Sequence, residues 1–597
     1  WLPLSRGLGD VYKRQGEETK REITLEKGKR TVFTVPVTAT TSGIGGIDLT
    51  VRGPDGFAVS RSWPLQVRAA QLPLTRQTVQ TVAPGDSVTL TADLLADYVP
   101  GSGRASVSLS RFRGLDVPGL LRWLDRYPFG CLEQITSRAL PLLFFNDVAR
   151  ITGTRQDQGL DERLREAVET VAGMQGAEGG FNQWGQWGGE ADPWLSVFAL
   201  DFLERAADKG LDVPNGTLTL GRHWLARAAV HDSRADVHAY AVLLLARRGQ
   251  ANAADLRYFF DTAPPKSPLA LAQLGAALET VGERARAAAA FDAAQAALTR
   301  WTEAERKRDG AVLKQMDGPA ASRLRDAYGV AALLAAHGRA ARIPALLASV
   351  DGLEATPDAT TTQEKAWMLL AAAEMARVSG HLGAEVDGKA LTGSDPLSLA
   401  LSPEDLARGV AVKSTAEGQV FRILSTEGVP AAPLPAGGNG AEIRKSLYSL
   451  SGQKLDSAKI QRNERMVVVI DGSASDRIPG DYGVIDLLPA GWEIEGLLRP
   501  EQPGYEWLGR LSEAESRQAR DDRFVAAVRL PDYEMDRSDP SVGPQRKEDT
   551  ASWSFRLAYV VRAVSPGIFA LPAARVDHMT VPRIQARSAF GQTEVVE

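Results

Sequence analysis

The stretch Tyr127-Pro128-Phe129-Gly130-Cys131-Leu132-Glu133-Gln134 contains the one cysteine of the chain, and the rest is read outward from it. Pro128 and Gly130 make a turn, and the apolar spacing that follows predicts a helix over Ile135 to Leu143. Cys131 and Gln134 then stand at the start of that helix with their side chains on one face. Partial positive charge and free N–H groups at a helix start favour a thiolate and stabilise an oxyanion. Attack of the Cys131 sulfur on the Gln134 side-chain carbonyl, with loss of ammonia, closes an internal thioester, an electrophile held in reserve while water is kept away. A buried structural thiol is the plainer reading of a free cysteine. A chance Cys-x-Glu-Gln arises about once in fifty chains of this size at average residue usage, so both readings stay open at this point. A Cys–His nucleophile is the third. It needs a histidine in a recognisable setting, and His223, His231, His238, His337, His381 and His578 read instead as surface or cap residues.

Around this motif lies a chain of 597 residues, 44% hydrophobic and 24% charged, with Lys+Arg 69 against Asp+Glu 74. That length predicts several domains with ample buried cores. A net charge of −5 is nearly neutral for such a chain and argues against a nucleic-acid partner. No apolar run approaches the roughly 18 residues of a membrane span. The longest, Tyr328 to Ala336, is short and mostly alanine. Gly 56 and Pro 33 are ordinary, which excludes collagen-like and disordered chains. A lone cysteine excludes an intramolecular disulfide and a cysteine zinc site. No spaced histidine pair or Asp-rich loop offers another metal site, so no cofactor is expected. The chain opens on Trp1 with no basic, apolar leader, and is read as a fragment of a longer protein. Residues 1–15 match no element pattern, resemble translated adaptor sequence, and are set aside as a non-native leader.

Upstream of the motif the pattern has period two, with Val32 to Val37, Ile47 to Val51 and Trp63 to Val67 separated by Gly43-Ile44-Gly45-Gly46 and Gly53-Pro54-Asp55-Gly56. Ser87 to Leu90 and Ala105 to Leu109 continue it, too few strands to close a domain. From Leu115 to Leu391 the period becomes helical and Ala-rich, with segments such as Asp161 to Met174, Trp194 to Ala207, Pro268 to Leu278 and Thr362 to Arg377 joined by short turns. Ten or so helices of this kind predict stacked hairpins, as in a solenoid or a closed α/α toroid. After Ser402 strands return at Gly418 to Leu424, Met466 to Ile470, Tyr482 to Leu488, Phe524 to Leu530 and Ser552 to Val561. Pro430 to Gly440 reads as a linker and Glu501 to Asp522 as a helical insertion. An α domain placed between two halves of one β domain accounts for the incomplete strand sets on either side.

The motif resembles the thioester octapeptide of the alpha-2-macroglobulins, in particular bacterial ones. The resemblance runs on through Thr136-Ser137-Arg138, Gln175, Gly179-Gly180-Phe181, Trp184-Gly185, Asp192-Pro193-Trp194-Leu195 and Thr362-Gln363-Glu364-Lys365-Ala366-Trp367. It continues in Asp486-Leu487-Leu488-Pro489-Ala490-Gly491-Trp492-Glu493-Ile494, Arg562, Pro566-Gly567-Ile568-Phe569, Met579 and Pro582, and so covers nearly all of the chain after the leader. It implies a multidomain fold of antiparallel β-sandwiches flanking an inserted helical domain. The implied parts are a partial macroglobulin-like sandwich at 16–72, a CUB domain at 73–112 and 401–433, an α/α-toroid thioester domain at 113–400, and a C-terminal macroglobulin-like domain at 434–597.

The same resemblance implies that Cys131 and Gln134 form the thioester within the motif residues Gly130, Leu132 and Glu133, and that Tyr127 and Met579 cover it. Thr580 and Phe129 depart from the pattern, since relatives usually carry tyrosine at the first and many do at the second. Tyr127, Phe181, Trp184, Trp187 and Trp194 form an aromatic group that could keep water off the bond, with Trp194 read as helical core. The implied activity is a protease inhibitor, not an enzyme, that traps attacking proteases covalently through lysine amines. Gly179 to Trp194 contains no histidine, which favours direct aminolysis over attack by hydroxyls. Periplasmic location, a lipoprotein anchor outside this chain and association with a penicillin-binding protein are further implications. The alternatives are a non-covalent adhesion or structural protein with an inactive thioester, and a terpene cyclase. Gly179-Gly180-Phe181-Asn182-Gln183-Trp184 is similar to the Gln-Trp repeats of the cyclases, but their Asp-x-Asp-Asp acid is missing.

Overall fold

The computed structural model describes residues 22–24, 30, 37–38, 43–126, 129–144, 159–185, 190–230, 232, 234–307, 322–350, 360–378, 380–455, 459–532, 535–536, 545–546 and 551–597. The expected leader, Tyr127, Pro128, Trp187 and His231 lie outside these residues. A hairpin comes first: β1 (Gly43–Arg52) and β2 (Ala58–Val67) pair antiparallel around a turn at Pro54–Gly56. Gly56 takes φ +78°, the left-handed conformation that a side chain resists.

Next come β3 (Leu74–Val82), β4 (Ser87–Leu90) and β5 (Arg104–Ser110), whose sheet partners lie beyond the helices. These partners are β6 (His381–Val386), β7 (Lys389–Ser394), β8 (Leu397–Leu401), β9 (Val410–Ser414) and β10 (Val420–Gly428). They form two four-stranded antiparallel sheets, ordered β3-β10-β5-β8 and β4-β9-β6-β7. β10 lies between β3 and β5, with Val420 opposite Val82 and Phe421 opposite Ser110. The helices therefore interrupt a single pair of sheets. Apolar spacing carries the helical region to Leu391, and the implied thioester domain to residue 400, but the last described helix before β6 ends at Val378 and β6 to β8 fill the interval. Leu382, Ala384, Leu397 and Leu401 explain the difference, because all four are buried in the cores of this β unit.

The helices are α1 (Val117–Arg126), α2 (Leu132–Leu142), α3 (Leu160–Gly173), α4 (Pro193–Asp208), α5 (Asn215–Trp224), α6 (Ala235–Arg247), α7 (Ala253–Thr262), α8 (Pro268–Thr280), α9 (Arg284–Lys307), α10 (Arg323–Ala336), α11 (Ile343–Ala348) and α12 (Thr362–Val378), with α13 (Pro403–Arg408) lying between β8 and β9. Capping starts α4 cleanly: the Asp192 carboxylate accepts the Leu195 N–H at 2.8 Å, and Pro193 needs no partner in the first turn. α8, α10 and α12 are buried over most of their circumference, and α12 packs back against α1 and α2. None of the described helices is long and apolar enough to cross a membrane.

A buried ion network ties α4 to α6. Asp201, 2% exposed, accepts Tyr240 Oη–H at 2.7 Å, Arg205 Nε–H at 2.8 Å and Arg247 Nη1–H at 2.9 Å. Burial alone would raise its carboxyl, but the two guanidiniums outweigh it and hold the group below the usual carboxylate range.

The C-terminal unit comprises β11 (Gly437–Asn439), β12 (Glu442–Ser449), β13 (Lys459–Gln461), β14 (Arg465–Ser473), β15 (Gly480–Leu487), β16 (Trp492–Leu497), β17 (Ser516–Arg520), β18 (Arg523–Leu530), β19 (Met535–Asp536), β20 (Gln545–Arg546), β21 (Ser554–Ala563), β22 (Gly567–Leu571), β23 (Ala574–His578), β24 (Gln585–Arg587) and β25 (Gly591–Val596). Its larger sheet runs β11-β24-β23-β15-β18-β17 and the next β12-β14-β21-β16. All pairs are antiparallel except β13 with β25. The helical insertion expected at Glu501 to Asp522 is absent: these residues hold one 3-10 turn, Glu506–Leu508, and then β17. Pro503, with Gly504 and Gly509 at positive φ, stops a helix, while Leu508 and Leu511 bury themselves against Val467 and Val560.

Asp201→Ala leaves the buried Tyr240 hydroxyl without its acceptor and unpairs Arg205 and Arg247, whose side chains still reach solvent. It is expected to destabilise the chain by about 1–3 kcal/mol, read from denaturant unfolding followed by far-UV circular dichroism.

Candidate thioester site

α2 begins at Leu132, ahead of the Ile135 start that spacing suggests, and this makes Cys131 the N-cap and Gln134 the third helical residue. The pair closes a reciprocal cap. Cys131 sulfur accepts the Gln134 backbone N–H, and the Cys131 backbone N–H donates to Gln134 Oε1 at 3.4 Å. Ser or Thr with Glu or Gln ordinarily fills these positions. Here the cap brings a sulfur to a carboxamide whose oxygen already receives an N–H, the polarity that attack on the carbonyl requires. Both side chains are buried, Cys131 at 1% and Gln134 at 3% exposure. Gln134 Nε2 has no hydrogen-bond partner among the described residues, which costs about 1–3 kcal/mol.

Burial pushes the Cys131 thiol well above its ordinary range, and the Glu133 charge adds to this. The backbone N–H groups of Gln134 and Glu133 pull the other way and lose. A helix start by itself favours a thiolate, and here desolvation outweighs it.

The neighbouring motif residues anchor the cap. Leu132, fully buried, gives its N–H to the Gln183 carbonyl at 2.9 Å. Glu133 accepts Ser137 Oγ–H at 2.7 Å and Thr362 Oγ1–H at 2.8 Å, which ties α2 to α12. Burial raises the Glu133 carboxyl despite those bonds. At Gly130 an added Cβ would meet nothing within 4 Å, so no described contact demands glycine there.

An apolar cluster surrounds Phe129, two residues before the N-cap. Phe129, Met579 at 7% exposure, Ile485, Leu487, Val525 and Ala527 are buried together, with Trp184 and Leu72 packed against them. β15 and β18 thus lie over the residue that precedes Gly130-Cys131. The Phe129 ring rests on the backbone of Gly483, where a Cβ would come within 2.3 Å of the ring. Of the residues expected to shield the sulfur, Met579 and Trp184 share this cluster. Phe181 lies instead in the helical core with Leu132, its N–H on Ser196 Oγ at 2.7 Å. Trp194 is also in that core, stacked on Phe198 with centroids 5.3 Å apart. Tyr127 is outside the described residues.

Sequence reasoning passed over Gly483 and Asp481, and gave Gln183 and His578 no part in the site. Gly483 did carry a signal, since a glycine inside an alternating strand marks a close approach. Asp481, beside it, accepts Gln183 Nε2–H at 2.9 Å and both Arg529 Nε–H and Nη2–H at 2.8 and 3.1 Å. His578, read as a surface or cap residue, is 3% exposed. Its Nδ1 accepts the backbone N–H groups of Thr580 and Val581, each at 3.2 Å, and its Nε2 faces the Pro479 carbonyl at 3.4 Å. Tyr482 meets the ring edge-on at 4.7 Å. The imidazole therefore fixes the turn that follows Met579, and burial lowers its pKa.

Two expectations follow. Gly483→Ala is expected to cost about 1–3 kcal/mol, and Phe129→Ala to remove most of that cost in the double variant, measured by a thermal-unfolding cycle. A histidine pKa lower in the folded than in the unfolded state, which is near 6.5, contributes stability that is present above that value. The stability is lost as pH falls through the folded value. Thermal midpoints should drop below about pH 6.5 in the wild type, and His578→Asn, whose Oδ1 replaces Nδ1, should flatten that drop.

No family model matches the chain. It is 28% identical to the alpha-2-macroglobulin of Escherichia coli K12 over 95% of this chain and 35% of that protein. It is 25% identical to that of Xylella fastidiosa Temecula1 over the same shares. The chain thus spans about a third of the length of these curated relatives. The crystal structure of native E. coli alpha-2-macroglobulin from domain MG7 to the C-terminus superposes with a TM-score of 0.74, at 24% identity, covering 93% of this chain and 88% of that one. Salmonella alpha-2-macroglobulin reacted with methylamine superposes at 0.73, with 26% identity, over 93% of this chain and 36% of that one. The chain is homologous to bacterial alpha-2-macroglobulin and matches the C-terminal portion of that longer protein.

Proposed function

We propose that Cys131 and Gln134 close an internal thioester, and that this chain is the reactive part of a protease inhibitor that traps its attacker covalently. In the closing step the Cys131 sulfur bonds to Gln134 Cδ, the Cδ–Nε2 bond breaks, and the nitrogen leaves as ammonia with the thiol proton. The observation that carries the reading is the reciprocal cap with its unpartnered Gln134 Nε2. The cap holds nucleophile and carbonyl together, and the reaction expels the one atom of the pair whose burial is uncompensated. A lysine amine then attacks Cδ, an amide forms, the C–S bond breaks, and Cys131 recovers its thiol. The Phe129, Trp184 and Met579 cover supports the same reading, because a thioester survives only where water is excluded. So does the similarity to a Salmonella protein described as reacted with methylamine.

The architecture suits this role. The paired sheets holding β3 to β10 serve as the CUB domain, and the inserted helices, whose last member packs on the first two, as the α/α toroid that carries the bond. The β1–β2 hairpin belongs to one macroglobulin-like domain and residues 434–597 form another. In the whole protein, cleavage by a target protease moves the C-terminal unit away and exposes the bond to a surface lysine of that protease. Export to the periplasm, a lipid anchor outside this chain and association with a penicillin-binding protein belong to the same reading.

Intact-mass measurement tests it. Freshly folded chain should weigh less than its sequence by one ammonia, and methylamine should add to Gln134 with release of one thiol. Cys131→Ala should abolish both while leaving the helical circular dichroism unchanged; a full-mass chain with a titratable thiol sinks the proposal. An amine probe should label faster than an alcohol of equal size, since residues 179–194 hold no histidine to relay the acyl group. Heating should cleave the backbone between Glu133 and Gln134 in the wild type but not in Cys131→Ala.

A further inference from the structure

Gln183 has two separate attachments. Its backbone carbonyl takes the N–H of Leu132, the first residue of α2, at 2.9 Å. Its side-chain amide donates to Asp481 Oδ2, also at 2.9 Å. The loop between these ends is held in shape, because Asn182 Oδ1 accepts the Trp184 N–H at 2.9 Å and Asn182 Nδ2–H reaches the Glu190 carbonyl at 2.7 Å. Asp481 is in turn held by the Arg529 guanidinium through two bonds, and is only 9% exposed. Its own carbonyl accepts the Met579 N–H at 2.9 Å. One residue at the start of β15 therefore grips the loop that caps α2 and the end of the strand that carries Met579.

Beside this bond, the Phe129 cluster joins the C-terminal sheet to the segment that leads into α2, and apolar contact is non-directional. It excludes water but leaves the register of the sheet on the helix loosely set. A charge-assisted hydrogen bond to a fixed carboxylate is directional and sets that register. We propose that Asp481 is a positioning residue: through Gln183 it latches the C-terminal sheet over residue 131 and sets how fast small reagents reach it. The proposal rests on the thioester reading for its biological meaning, but the latch itself concerns access alone.

The test uses the full chain as wild type, Gln183→Ala, Asp481→Ala and the double variant, with methylamine uptake followed by intact mass. Gln183→Ala leaves the backbone cap on Leu132 and the Asp481–Arg529 pair in place, so it reports on the latch even where Asp481→Ala folds poorly. Each single variant is expected to take up methylamine roughly tenfold faster or more, the scale of a lost hydrogen bond to a charged group, and the double variant no faster than the faster single. A residue serving only the fold of the C-terminal sheet would speed uptake equally with and without Gln183. Multiplying effects, or uptake at the wild-type rate in Gln183→Ala, overturn the latch. Wild-type chain with full mass and no uptake sinks the thioester reading instead, and the same variants are then judged by iodoacetamide alkylation of the Cys131 thiol, with the same pattern expected.

Discussion

A helix start that uses a sulfur and a carboxamide as its cap, and keeps both out of water, is the constraint on which the rest of this structure depends. A helix N-terminus leaves backbone N–H groups without partners, and a serine or threonine usually meets that need. At α2 the need is met by Cys131 and Gln134, each side chain accepting the other residue's backbone N–H. The cap that finishes the helix is also the feature on which the proposed thioester rests. The same burial that makes the thiol hard to ionise also protects the carbonyl from water.

Keeping that cap dry takes surfaces from distant parts of the chain. The helices supply the floor, with Leu132 in their core and Glu133 bonded across to α12. The C-terminal unit supplies the roof, where β15 and β18 present Ile485, Leu487, Val525 and Ala527 to Phe129. Gly483 lets the Phe129 ring lie directly on the strand backbone. Beside it, the Gln183 amide bonds to Asp481, a directional contact between the two units.

Polar contacts fix two other places in the fold. The Asp201 carboxylate is buried inside one unit and binds α4 to α6 through Tyr240, Arg205 and Arg247. His578 holds the Met579 turn as a neutral ring with two N–H groups aimed at Nδ1, an arrangement a second ring proton would break. The first is a frame for the helices. The second governs one edge of the cover.

Much of this was legible in the amino-acid order. The octapeptide marked the reactive pair, period-two and helical stretches marked the layers, and the short strand sets beside the helices implied an interrupted β unit that β10, between β3 and β5, completes. Local pattern failed where long-range burial decides. The strands from His381 to Leu401 looked like an extension of the Ala-rich region, and Glu501 to Asp522 looked like a polar helix although its leucines serve a distant sheet. The chain by itself determined which atoms could react, because a lone cysteine near a glutamine at a helix start is a matter of residue type and spacing. Only the tertiary structure decided the protonation of that sulfur, the bonding of Asp481 to Gln183 and the seat of Phe129 on Gly483. Desolvation and contact between residues hundreds of positions apart depend on which surfaces meet in space, and no local period records that.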